Sequence, residues 1–278
     1  MRVVKEQFNS LEEFIRTIDT RKVNKVFECR NSLESQEQGY DFTGTNSYEE
    51  ASELAIKGYK EGLEQLTTQK LENEFNSKVN KNIQKSSIIG FTPHVPNAIA
   101  GIPYSMISKD EIKNTVKAIT ITYGMGECES EKTSSFIECG KKIISLINSF
   151  ELSGYRVAIN AFVETYEPEE IIICKIRLKN HRQPLNLLKL SYVLIHPSFL
   201  RRHSFRYYET ADITCERFRS GYGMPFRAFK NTYSEKIEWL KENKIINQNE
   251  IYLDLDEVKR KDLKELINHI KENLNIQE

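Results

Sequence analysis

The chain has 278 residues, with 40 Lys and Arg against 40 Asp and Glu, so its formal net charge is zero. That length suits one large domain, or one domain with a smaller appendage. The neutral balance argues against a protein that coats nucleic acid or a membrane surface through overall charge, so any electrostatic partner must meet a local patch.

Cys29, Cys128, Cys139, Cys174 and Cys215 are odd in number, widely spaced and without a CxxC pair, which reads as reduced thiols rather than a disulfide framework. Cys139 and Cys174 sit among apolar residues and are expected to fill core space. No run approaches the roughly 18 apolar residues of a membrane span. Met1 to Ser10 is charged and lacks an apolar signal core, so the expectation is a cytoplasmic protein with no membrane partner.

In chain order, Ser10 with Glu13 forms a capping box before Leu11, Phe14 and Ile15, which predicts a helix over 10–19. Residues 30–46 read as loop. A second box, Ser47 with Glu50, opens a long helix with Ala51, Leu54, Ala55, Tyr59, Leu63 and Leu66 on one face. Gly58 and Gly62 weaken that helix by about 1 kcal/mol each and point to a close backbone neighbour. Residues 86–110 are punctuated by Pro93, Pro96 and Pro103 yet mostly apolar from Val95 to Met106. Because loops are ordinarily polar, this segment is expected to cross a core surface that holds it down.

The clearest pattern starts at Val116. A buried strand over 116–123 ends at Gly124-Met125-Gly126, and a helix follows over 134–152, closed by Gly154. Strands follow over 155–164 and 170–178, too close together for a parallel crossover. These two must form an antiparallel hairpin, whereas the first strand and the second should be parallel and right-handed. Helical stretches follow at 185–195, 198–209, after a cap of Thr232 with Glu235, and at 258–274, with a short strand over 250–255.

Strand, helix, strand, antiparallel edge strand resembles the opening of a von Willebrand factor A-like domain of the cobaltochelatase type. Thr122-Tyr123-Gly124-Met125-Gly126 stands where that family's Asp-x-Ser-x-Ser metal motif would be, with Phe150 to Val157 and Ala161 to Thr165 in the later positions. The likeness covers about 60 residues. It implies a metal-site turn that has lost its ligands, since Thr122, Gly124 and Gly126 offer one hydroxyl and no carboxylate to a hard cation. More broadly, several phrases resemble an uncharacterised family of bacteriophage proteins. They are Ser47-Tyr48-Glu49-Glu50-Ala51, Ile99-Ala100-Gly101-Ile102-Pro103, Gly154-Tyr155-Arg156-Val157, and His196-Pro197-Ser198-Phe199-Leu200-Arg201-Arg202 with Phe205-Arg206.

No Walker loop, G-x-S-x-G elbow or H-E-x-x-H motif occurs. His196, His203 and Cys215 match no common zinc spacing. The richest feature is a basic, aromatic stretch over 199–230 that carries Arg201, Arg202, Arg206, Tyr207, Arg217, Arg219 and Arg227. Its composition fits a single-stranded nucleic-acid platform, a protein–protein hot spot, or a core whose edge is covered by arginine stems. Sequence leaves those three open.

The expected fold is therefore α/β: a von Willebrand factor A-like, Rossmann-like mixed sheet with one antiparallel edge strand over 112–278. An N-terminal helical region over 1–85 and a Pro-rich apolar connector over 86–111 precede it. The expected function is non-catalytic protein binding or assembly, of phage origin. Acting beside a ring ATPase or on a host defence complex is what the resemblance implies. Nucleic-acid binding through 199–230 is the alternative, and an enzyme built on Glu127, Glu164, His196 and His203 ranks third. No metal or cofactor is expected.

Overall fold

The structure is a computed structural model that describes residues 1–27, 39–67, 84–109, 117–125, 133–167, 169–214 and 232–274. In chain order it contains β1 (Arg2–Phe8), α1 (Leu11–Thr20), α2 (Tyr40–Thr43), α3 (Tyr48–Lys57), α4 (Lys60–Thr67), β2 (Gln84–Ser87), β3 (Thr92–Pro93), α5 (Val95–Ile99) and β4 (Met106–Lys109). There follow β5 (Ala118–Gly124), α6 (Thr133–Leu152), β6 (Arg156–Tyr166), β7 (Glu170–Lys179), α7 (Leu187–Ile195), a π-helical turn (Phe199–Ser204), α8 (Phe205–Thr210), α9 (Tyr233–Glu242), β8 (Glu250–Asp254), α10 (Leu255–Arg260) and α11 (Leu263–Asn273).

The expected caps form. Ser10, Ser47 and Thr232 each accept the backbone N–H three residues on, at 3.0, 3.1 and 3.2 Å. Each thereby satisfies a donor that the first helical turn leaves without a partner. The long helix expected after Ser47 is instead two. Gly58 adopts φ +91°, and the N–H of Tyr59 leaves the helix to bond the Leu188 carbonyl at 3.1 Å.

The main sheet is mixed, in the order β1-β7-β6-β5-β8. β5 pairs in parallel with both β6 and β8, and β6 pairs antiparallel with β7, as the short connection requires. The antiparallel strand is not the edge, however. β1 pairs in parallel along the outer side of β7, from Arg2 opposite Glu170 to Phe8 opposite Ile176. The N-terminal region is therefore not wholly helical, and its first strand belongs to the same sheet as 118–254. Covering β7 leaves a shorter and more polar edge, which is the safer one to expose.

One face of the sheet carries the larger core. Ile119, Ile121, Val157, Ile159, Val163, Ile172, Cys174 and Ile176 pack there with α1, α6, α7, α10 and α11, and Cys139 and Cys174 are both buried thiols. The other face is covered by α9, whose Leu240, Ile237 and Trp239 meet Phe162, Ile171, Ile173 and Tyr252.

Residues 84–109 fold differently from expectation. They form their own antiparallel sheet, β2-β4-β3, with α5 between β3 and β4. Gly90 makes the turn possible, because a Cβ there would lie 2.2 Å from the Ile107 carbonyl oxygen. Pairing within the segment satisfies backbone groups that a loop would need a core or water to satisfy. The apolar side chains are consequently left outside. Ile88, Ile89, Phe91, Val95, Ile99, Ile102 and Tyr104 are 43–83% exposed.

Candidate functional site

The basic, aromatic stretch divides at residue 214. Arg217, Arg219 and Arg227 lie outside the described residues. Arg201, Arg202, Arg206 and Tyr207 do not form a surface; all four are buried. The Arg202 Nε donates to Thr45 Oγ1 at 2.7 Å, and its Nη2 donates to the Thr45 carbonyl at 2.8 Å and to Thr43 Oγ1 at 3.1 Å. The Arg201 Nη1 donates to the Phe42 carbonyl at 2.6 Å, and its guanidinium lies 4.3 Å from the Phe42 ring centre. The Arg206 Nη2 donates to the Arg21 carbonyl at 3.1 Å. The Tyr207 hydroxyl donates to the Ile173 carbonyl at 3.0 Å.

These arginines anchor residues 42–45 to the π-helical turn and residue 21 to α8. Charge-assisted hydrogen bonds of this kind contribute about 1.5–3 kcal/mol each. For Arg201, Arg202, Arg206 and Tyr207 the core reading therefore replaces the binding-surface reading. Phosphates would have to displace backbone carbonyls to reach them.

The π-helical turn places His203, and the C-terminal end of α7 places His196, against Tyr192. His203 is fully buried between Tyr192, whose hydroxyl is 2.7 Å from Nδ1, and Ser52, whose hydroxyl is 3.2 Å from Nε2. Burial, reinforced by Arg202 and His196, pushes its pKa down to about 3. Burial also lowers His196 to about 4, opposed by Glu50. The His196 Nδ1 accepts the Ser198 N–H at 3.2 Å and its ring stacks on Tyr192. Neither ring is presented to a cation, and a base with a pKa near 3 is a weak proton acceptor at neutral pH.

Glu164 lies on the opposite face of the sheet, paired with Lys236 of α9. Of the three described members of the candidate enzyme cluster, His196 and His203 share the layer around Tyr192 while Glu164 lies apart from them, and Glu127 lies outside the described residues.

At the end of β5, Thr122 points inward rather than into a metal site. Its hydroxyl donates to Glu250 and accepts from Asn160 Nδ2 at 3.1 Å. Lys175 pairs with the same carboxylate at 2.6 Å, and the Asn247 N–H bonds its other oxygen at 3.1 Å. β5, β6, β7 and β8 each contribute one residue to this network, and it is closed on itself. Gly124 is required by close approach, since a Cβ would come 2.2 Å from the Tyr252 hydroxyl. Gly126 lies outside the described residues. Among the described residues no group of three or more His, Cys, Asp or Glu could hold a metal ion, and no helix is long and apolar enough to cross a membrane.

The remaining feature is the one that sequence reading placed on the core. Of the eleven large hydrophobic residues exposed among the described ones, seven fall within residues 88–104. The signal was present in the sequence. From Gln84 to Lys109 there is no Asp or Glu, and the only lysines stand at the two ends, at 85 and 109. An ordinary solvated loop would carry charge.

A protein-family model described as a domain of unknown function (DUF7192) matches residues 1–278. No curated protein and no solved structure matches the chain.

Proposed function

We propose that this chain, which belongs to the DUF7192 family, is a non-catalytic binding or assembly protein whose contact element is the apolar arm over 84–109. The observation that carries this reading is the exposure of Ile88, Ile89, Phe91, Val95, Ile99, Ile102 and Tyr104 in one short element. Single exposed hydrophobics are normal, whereas exposed apolar patches beyond about 300–600 Å² mark interaction surfaces. The arm's composition names the chemistry of its partner: a protein surface with an apolar groove, matched by shape rather than by charge. Its likeness to bacteriophage proteins is in keeping with an assembly role.

The test is capture from native, nuclease-treated lysate with the full chain, comparing wild type with Phe91→Ser/Tyr104→Ser. A defined protein retained by the wild type and recovered at least roughly tenfold less with the variant is the expected result, a loss of about 1.4 kcal/mol or more. Equal recovery would contradict the reading. Loss of every partner on nuclease treatment would favour nucleic acid, bound through the part of 199–230 that lies beyond residue 214.

A further inference from the structure

We infer that the partner surface for this arm is a second copy of the same arm, so that two chains pair through residues 84–109. The inference rests on the binding role proposed for the arm and names its occupant.

Area is the first argument. Taken at roughly 150–200 Å² per apolar side chain, the exposed fractions of the seven residues sum to about 800 Å² of accessible surface per chain, of the order that one partner contributes to a standard interface. A patch of that size in water is costly for a monomer, and a second copy covers it with an equal area.

Charge is the second. From residue 86 to residue 108 the arm carries no Asp, Glu, Lys or Arg, with Lys85 and Lys109 standing outside that stretch, so the facing apolar stretches bring no like charges together. The chain's formal net charge is zero, so no overall repulsion opposes the approach of two molecules. The stretch over 86–108, apolar and without Asp, Glu, Lys or Arg, is complementary to itself, and two-fold pairing of identical patches is the commonest route to a closed oligomer.

The experiment is light scattering on the eluting full-length chain over a roughly hundredfold concentration range. Three proteins are compared: wild type, Ile89→Asp/Ile99→Asp, and Ile56→Asp. Ile56 is exposed on α3, away from the arm. Wild type and Ile56→Asp should approach twice the chain mass of 32.5 kDa, and the arm variant should remain at the single-chain mass. Should the arm variant fail to fold by circular dichroism, Ile89→Ser/Ile99→Ser replaces it with the same expectation.

A wild type of single-chain mass at every concentration overturns the pairing, as does an arm variant that keeps the doubled mass. A monomeric wild type that floats with phosphatidylcholine–phosphatidylserine vesicles also overturns it, in favour of a lipid surface. A monomer that still captures a lysate protein through the arm overturns self-pairing alone and leaves the binding role standing.

Discussion

At the scale of single residues, burial decides what each polar group can do. His203 sits in the π-helical turn with both ring nitrogens engaged and a pKa pushed down to about 3, against an ordinary value of 6.5. In that interval the unfolded chain takes up a proton that the folded chain refuses. The contribution is fully present above pH 6.5 and is lost as the pH falls toward 3. Replacing His203 by Gln, which can still bond Tyr192 and Ser52, should flatten the fall in unfolding free energy between about pH 6 and pH 4 by about 1.4 kcal/mol per pH unit. Urea titrations of both proteins across that range check it, and parallel slopes would show that the ring is protonated when folded.

The caps at Ser10, Ser47 and Thr232 were legible because donor and acceptor stand three residues apart. Arg202 was not legible in the same way. Its acceptors Thr43 and Thr45 lie 159 and 157 residues away in the chain. Composition does not distinguish an arginine bonded to distant carbonyls from one waiting for a phosphate.

At the scale of elements, the unit from β5 to β7 was readable because its periods are long and its breakers few. The hairpin between β6 and β7 follows from the shortness of the connection alone. β1 escaped notice because only Val4 and Phe8 of Arg2–Phe8 are buried, with charged and amide side chains between them, so neither strand nor helix period stands out. Gly58 was recognised as a close-packing position but not as a break. A Cβ at Gly58 would meet Leu188 Cγ at 2.4 Å and the Leu188 carbonyl oxygen at 2.8 Å, on a backbone already at φ +91°. Gly58→Ala should therefore cost about 2–4 kcal/mol through both strain and the loss of contact between α3–α4 and α7. Gly39, with open space around it, is the control. Gly39→Ala should change the urea midpoint little, and equal midpoints for both variants would contradict the packing described.

At the scale of the whole molecule, the sheet, its two cores and the anchored N-terminal elements bury their apolar side chains, and the arm does not. Lys175, Glu250, Asn160 and Thr122 close a polar network beneath α9, and Arg201, Arg202 and Arg206 each donate to a backbone carbonyl. Most of the large apolar side chains that the described residues leave facing water are the seven within residues 88–104, which lie on α5 and on the segments between the three short strands. Sequence reading found that segment unusual for a loop but assigned it to the core, because a hydrophobic run is more often buried than not. The backbone pairing of β2, β4 and β3 is what frees it from the core, and such non-local pairing between polar strand segments leaves little trace in hydropathy.

The most direct measurement is hydroxyl-radical footprinting of the full chain, first alone at high dilution and then in its isolated complex. Phe91, Ile99 and Tyr104 should lose most of their labelling in the complex, while Tyr40 and Leu152, exposed elsewhere, keep theirs. Unchanged labelling of the arm in a complex that has demonstrably formed would place the contact elsewhere and contradict the account.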